Sequence, residues 1–207
     1  MIQTVVKRDG RIVGFNEQKI SAAIRKAMLT TEGGEDESLI TSISDRISMK
    51  GKEQMTVEEI LDEVAVDDLY FKATNGGITF GGGEPLLNAD GIADCCMRRP
   101  MEWRIYIETS LNVERRALET VAPYIDHYYV DVKDMNPDIY YCYTSRDNSR
   151  VIENLQWLAD HVDLERVTIR LPHIPSYNTQ ADIVRSRRQL EAMGFRNFDC
   201  FDYITDR

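Results

Sequence analysis

The spacing of apolar and polar residues changes period several times along the chain, and each change marks an element. Thr4-Val5-Val6-Lys7 and Arg11-Ile12-Val13 are β-prone, and Arg8-Asp9-Gly10 between them supplies an Asp-Gly turn, so residues 3–15 read as a β-hairpin. Asn16 caps a helix whose Ile20, Ala23, Ile24 and Ala27 share one face. Residues 30–38 are a polar loop, residues 39–47 a second helix, and residues 49–54 a weak linker. Thr56-Val57-Glu58-Glu59 has the form of a capping box, and the helix it opens is expected to bury Val57, Ile60, Leu61 and Val64.

Beyond that helix the order becomes regular. Strands are expected at 77–81, 103–108, 127–133, 166–171 and 197–203, with helices at 89–98, 112–122, 148–161 and 179–193. Strands alternating with helices at this spacing imply βαβ units and a mainly parallel sheet. The fold class is α/β: a partial parallel (β/α) barrel of about five strands over residues 49–207, behind a small α+β segment over residues 1–48.

The 207 residues are 43% hydrophobic, enough for a real core. The net charge of −10 argues against general nucleic-acid binding, which needs a basic surface. Charge is uneven, however: Lys7, Arg8, Arg11, Lys19, Arg25 and Lys26 crowd the start, whereas residues 35–68 are strongly acidic. A basic start on an acidic chain suits a small anion, although two solvated faces explain the charge equally well. Lys7-Arg8-Asp9-Gly10 interrupts any leader-like apolar run, and no segment has the length of a membrane span. The four cysteines, Cys95, Cys96, Cys142 and Cys200, do not form a secreted disulfide framework, so a cytoplasmic protein without membrane attachment is expected. Cys142 and Cys200 are each isolated and are read as buried thiols, and His127, His161 and His173 show no ligand spacing.

Chemistry collects at the C-terminal ends of the predicted strands, where parallel α/β folds carry their sites. The first strand runs into Gly81-Gly82-Gly83-Glu84-Pro85, the second ends in Glu108-Thr109-Ser110, the third carries Asp131-Val132-Lys133, and the fourth carries Arg170 and then Leu171-Pro172-His173-Ile174-Pro175 and Tyr177-Asn178. Glycines at a strand end allow close backbone approach and φ > 0, and a neighbouring carboxylate accepts from an amino group. The set suits a cofactor with an amine, a carboxylate, ribose hydroxyls and a sulfonium. Salt-bridged strand ends are the bland alternative.

Residues 55–204 resemble activating proteins of glycyl radical enzymes, a branch of the radical S-adenosylmethionine (SAM) family. The resemblance rests on Met55-Thr-Val-Glu-Glu-Ile60, Gly76-Gly-Ile-Thr-Phe80 with Gly82-Gly-Glu-Pro-Leu-Leu87, Ile107-Glu-Thr-Ser110, Tyr124-Ile-Asp126, Val130-Asp-Val-Lys-Asp-Met135, Ile152-Glu-Asn-Leu155 and Ile169-Arg-Leu-Pro-His-Ile-Pro175 in that order. It implies an oxidoreductase of anaerobic metabolism that activates ribonucleotide reductase or formate acetyltransferase. It implies further that Gly82, Gly83, Glu84 and Pro85 meet the SAM amino group, that Asp131, Lys133 and Arg170 surround its polar end, and that Glu108, Thr109 and Asp131 line a monovalent-cation site. The family also places three cysteines, spaced C-x3-C-x2-C, in a loop after its first strand to hold a [4Fe–4S] cluster. Here no cysteine precedes Cys95 and none has that spacing, Gly81 replaces the usual Ser, and the C-terminus is short. No catalytic residue is therefore assigned, and this chain is expected not to cleave SAM alone.

The N-terminal segment resembles an ATP-cone, an allosteric nucleotide-binding domain, over Val5-Val-Lys-Arg-Asp-Gly-Arg-Ile-Val-Gly-Phe-Asn16 and Lys19-Ile20. The resemblance implies ATP or dATP contacts at Lys7, Arg8, Asn16 and Lys19, where cations and free N–H groups meet. Three readings stay open. The chain is an activase-like protein whose partners are a glycyl radical enzyme and a second chain that supplies the missing strand and cysteines. It is a non-catalytic module that binds a nucleotide or SAM. Or it is a truncated or recombined gene product.

Overall fold

A computed structural model describes residues 4–6, 12–14 and 55–203. The main division between two compact units falls between Thr56 and Val57. In the first unit, strands β1 (Thr4–Val6) and β2 (Ile12–Gly14) pair antiparallel, with Val5 opposite Val13. This is the expected hairpin. The helices expected over residues 16–47, and the nucleotide contacts Lys7, Arg8, Asn16 and Lys19, lie outside the described residues.

The second unit is built on five parallel strands in sequential order: β3 (Gly77–Phe80), β4 (Arg104–Thr109), β5 (His127–Asp131), β6 (Val167–His173) and β7 (Asn197–Asp202). Helices α1 (Val57–Val64) and α2 (Asp68–Thr74) precede the sheet, and α3 (Ala89–Arg98), α4 (Arg115–Val121), α5 (Pro137–Thr144), α6 (Ser149–His161) and α7 (Gln180–Ala192) join its strands. The five-stranded parallel α/β architecture is the expected one. Among the described residues no helix is long and apolar enough to cross a membrane.

The two faces of the sheet differ because side chains alternate along each strand. Ile105 and Ile107 of β4, Tyr128 and Val130 of β5, and Val167 and Ile169 of β6 are fully buried. They form one cluster with Ile92, Leu118, Leu155, Leu158, Ile183 and Leu190 from the helices. The intervening residues, Tyr106 and Glu108, Tyr129 and Asp131, Thr168 and Arg170, occupy the opposite face. Gly77 is required where β3 meets β4, since a Cβ there would stand 1.9 Å from the Arg104 carbonyl oxygen.

Three expectations need correction. α1 buries none of its residues: Val57, Ile60, Leu61 and Val64 are half-buried, with Leu61 and Val64 resting on the core. Cys142 and Cys200 are exposed, because α5 presents Cys142 outward and β7 lies at an edge of the described sheet. Helices α2 and α5 were not expected. α5 had a readable signal: Asn136 accepts from the amides of Asp138 and Ile139 and Pro137 takes the first helical position.

Candidate SAM-binding site

The parallel register brings charges together at the C-terminal end of the sheet. Asp131 of β5, Arg170 of β6 and Asp199 of β7 are successive register partners, so their side chains leave the same face. The Arg170 guanidinium has Asp131 Oδ1 at 3.4 Å and Asp199 Oδ2 at 3.8 Å from Nε, and Glu108 Oε2 at 3.4 Å from its terminal nitrogen. Phe201 lies under it, with the ring centre 5.2 Å from the guanidinium carbon. These are loose ion pairs. Arg170 Nε is buried and makes no hydrogen bond, an arrangement that leaves this donor able to take a tighter acceptor.

Lys133, two residues beyond Asp131, is an ammonium only 6% exposed. It donates to Asp131 Oδ2 at 3.4 Å and sits 5.1 Å from the centre of the Tyr203 ring. Asn178 fixes the backbone around it. Its amide nitrogen donates to the Lys133 and Pro172 carbonyls and its oxygen accepts from the Ile174 amide. Asn178 is among the polar residues that the sequence places after the fourth strand, whereas the rings of Phe201 and Tyr203 carry no signal in the sequence. Aromatic residues in a terminal strand read as core.

The glycine turn lies at the end of β3. Gly82 has φ of +97°, which only glycine adopts freely, and nothing lies within 4 Å of where a Cβ would stand. The glycine is thus demanded by backbone shape, over open space. At Gly81 a Cβ would meet the Glu108 side chain at an ordinary 3.7 Å.

Glu84 turns toward β4. Its Oε1 accepts from Thr109 Oγ1 at 2.7 Å and from the Leu86 amide at 3.3 Å; its Oε2 accepts from the Ser110 amide at 2.9 Å and Ser110 Oγ at 2.7 Å. Thr109 Oγ1 also accepts from the Leu111 amide, and Asn154 donates to the Leu111 carbonyl. Those bonds hold Leu111 at φ +58°, a left-handed conformation costly for a buried leucine. Pro85 opens the short 3-10 turn that follows, for which Glu84 is the cap.

Of the residues expected at the site, Asp131, Lys133, Arg170 and Glu108 form one charged network, while Glu84 and Pro85, in the loop after β3, are tied to Thr109 at the end of β4. Within the network Glu108 and Asp131 both engage Arg170, and the Thr109 hydroxyl is turned to Glu84.

The residues fit SAM: open space over a glycine turn, a buried guanidinium donor without a hydrogen bond, and a buried ammonium are complementary to the amino-acid end of such a molecule. They do not fit an iron–sulfur cluster. Cys95 and Cys96 are buried side by side on α3, and burial pushes the Cys96 thiol up to about 11, away from thiolate chemistry. Cys142 and Cys200 lie on separate elements, and among the described residues no group of three His, Cys, Asp or Glu side chains is placed to hold a metal ion.

The Radical SAM superfamily model matches residues 40–186, more than half of the chain, and the ATP cone domain model matches residues 3–67. Among curated proteins, the (2S)-3-sulfopropanediol dehydratase activating enzyme of Klebsiella oxytoca is 34% identical over 65% of this chain and 42% of its own length. The indoleacetate decarboxylase activating enzyme of Tractidigestivibacter scatoligenes is 31% identical over 68% and 44% respectively. The chain thus spans less than half the length of these relatives. The crystal structure of Streptococcus suis SuiB bound to S-adenosylmethionine matches with a TM-score of 0.54 at 11% identity, covering 74% of this chain and 35% of that one, which shows a shared fold. The chain belongs to the radical SAM superfamily, joins it to an ATP-cone match, and resembles glycyl-radical-enzyme activating enzymes without their three-cysteine motif.

Proposed function

We propose that this chain is an activase-like protein that holds SAM at the C-terminal end of its parallel sheet and does not by itself cleave it. The observation that carries the reading is the charged network of Asp131 and Lys133 at the end of β5 with Arg170 of β6, linked through Glu108 of β4 to the glycine turn after β3, where a Cβ on Gly81 would stand 3.7 Å from the Glu108 side chain. The backbone of Gly82 and Gly83 meets the amino-acid end of the ligand. Arg170 and Lys133 receive its carboxylate, and Asp131 holds both cations in place. Bound SAM would supply a sulfonium whose reductive cleavage needs an electron from an iron–sulfur cluster, and the four cysteines of this chain are not placed to hold one. A partner polypeptide whose cysteines hold a cluster would provide that electron, and a glycyl radical enzyme would be the recipient, in line with the similarity to activating enzymes. Calorimetric titration of the full chain with SAM tests the first part: saturable binding with a stoichiometry near one supports it, and no heat at millimolar ligand rejects it. The second part is tested by iron–sulfide reconstitution and reduction, where 5′-deoxyadenosine released by the chain alone rejects it.

A second element of the proposal rests on the ATP-cone match over residues 3–67. Lys7, Arg8, Asn16 and Lys19 contact the phosphates of ATP or dATP and make the protein nucleotide-responsive. Titration with both nucleotides, repeated on a Lys7→Ala and Arg8→Ala variant, tests this. Binding that is unchanged in the variant rejects the assignment.

A further inference from the structure

We propose that Glu84 is a positioning residue whose carboxylate fastens the glycine turn to the end of β4 and does not itself bind the ligand's amino group. The inference deepens the SAM reading and rests on it for the identity of the ligand.

A carboxylate offers about four acceptor positions. In Glu84 all four are taken, by Leu86 N and Thr109 Oγ1 on one oxygen and by Ser110 N and Ser110 Oγ on the other. Three of these bonds cross 25 or 26 residues of chain, from the loop after β3 to the end of β4. An incoming ammonium has to displace one of these donors to reach the carboxylate. Displacement leaves a backbone N–H or a hydroxyl of the strand end without an acceptor, which is costly in a half-buried site. The anchor itself is stiff. Ser110 is 4% exposed, and Leu111 beyond it is held left-handed by Thr109 and Asn154. Glu84 therefore ties Gly81–Gly83 to a rigid point, and the space over Gly82 is left for the ligand.

Glutamine cannot replace this carboxylate. Each oxygen of Glu84 receives one fixed backbone N–H, Leu86 on one and Ser110 on the other. Wherever the glutamine NH2 points, it opposes an N–H that cannot rotate away. Glu84→Gln should therefore loosen the turn at nearly constant side-chain volume.

Amide exchange followed by NMR on the ligand-free full chain tests the tie directly. Glu84→Gln should speed exchange at Leu86 and Ser110 by about tenfold or more, with Val130 in the sheet centre unchanged. Unchanged exchange at both positions overturns the proposal whether or not SAM binds. Calorimetry with SAM and with its analogue lacking the α-amino group supplies the second arm. The tie predicts that Glu84→Gln weakens both ligands by the same factor, whereas a loss confined to SAM places the carboxylate on the ammonium and overturns the proposal. Wild-type protein that binds neither ligand rejects the SAM reading alone, and the exchange arm then decides. Ser110→Ala, which deletes one donor and keeps the carboxylate, gives the same pattern at smaller size and serves if Glu84→Gln does not fold.

Discussion

Asp131 and Arg170 are cross-strand partners in register, and the Arg170 Nε lies 3.4 Å from Asp131 Oδ1 without hydrogen-bonding it. Two opposite charges are thus held side by side by the sheet ladder, close enough to compensate one another and loose enough to re-pair. Glu108 and Asp199 complete an anionic surround for the same guanidinium.

Removing the guanidinium leaves Asp131 with Lys133 but takes away the cation that the three carboxylates share. Arg170→Met is expected to destabilise the protein by about 1–2 kcal/mol, below the cost of breaking a fully buried pair because Arg170 is a quarter exposed. Arg170→Lys keeps the charge and loses the fork, so it should recover stability better than ligand affinity. Urea denaturation and SAM titration of both variants check this.

Adjacent glycines should differ. Gly82→Ala forces a side chain to φ +97° and should cost about 1–2 kcal/mol although nothing obstructs the Cβ. Gly81→Ser places its Cβ at an ordinary distance from Glu108 and should change stability by less than about 0.5 kcal/mol. Thermal melts of the two variants separate backbone strain from steric obstruction.

Gly77→Ala should be the most damaging glycine substitution in the sheet. Its Cβ collides with the Arg104 backbone, so β3 has to separate from β4. A loss of about 3 kcal/mol or more is expected, with raised amide exchange along Ile78–Phe80. Equal stability of the variant would contradict the observed register.

The cysteines should fall into two classes. Cys142 and Cys200 should react with an aromatic disulfide reagent in the native protein, and Cys95 and Cys96 only on unfolding. Burial raises the Cys96 pKa from 9.0 to about 11, so the folded state keeps a proton that the unfolded state gives up. The stabilisation is complete below pH 9 and is lost as pH rises toward about 11. Tyr128 is raised by burial as well and adds to the alkaline loss. Cys96→Ala should flatten the stability profile in that window without abolishing its fall, as measured by urea denaturation across pH.

The architecture and the available chemistry follow from local patterns along the chain. Alternating periods located the five strands, because side-chain direction in a strand or helix follows from local geometry alone. The absence of a cysteine triad is likewise a property of composition. A local signal also marks the start of α5, where Asn136 caps the helix and Pro137 takes its first position. Which side chains meet is set by the folded arrangement. That Asp131 faces Arg170 and Asp199 depends on strand register, which the crossovers and the packed core fix together. That Glu84 binds Thr109 and Ser110 depends on two strand ends finishing at the same level. The same limit applies to Cys142 and Cys200, whose exposure is set by what packs over α5 and β7. Contacts across 25 or more residues are set by the balance of the whole core, and no local pattern encodes them.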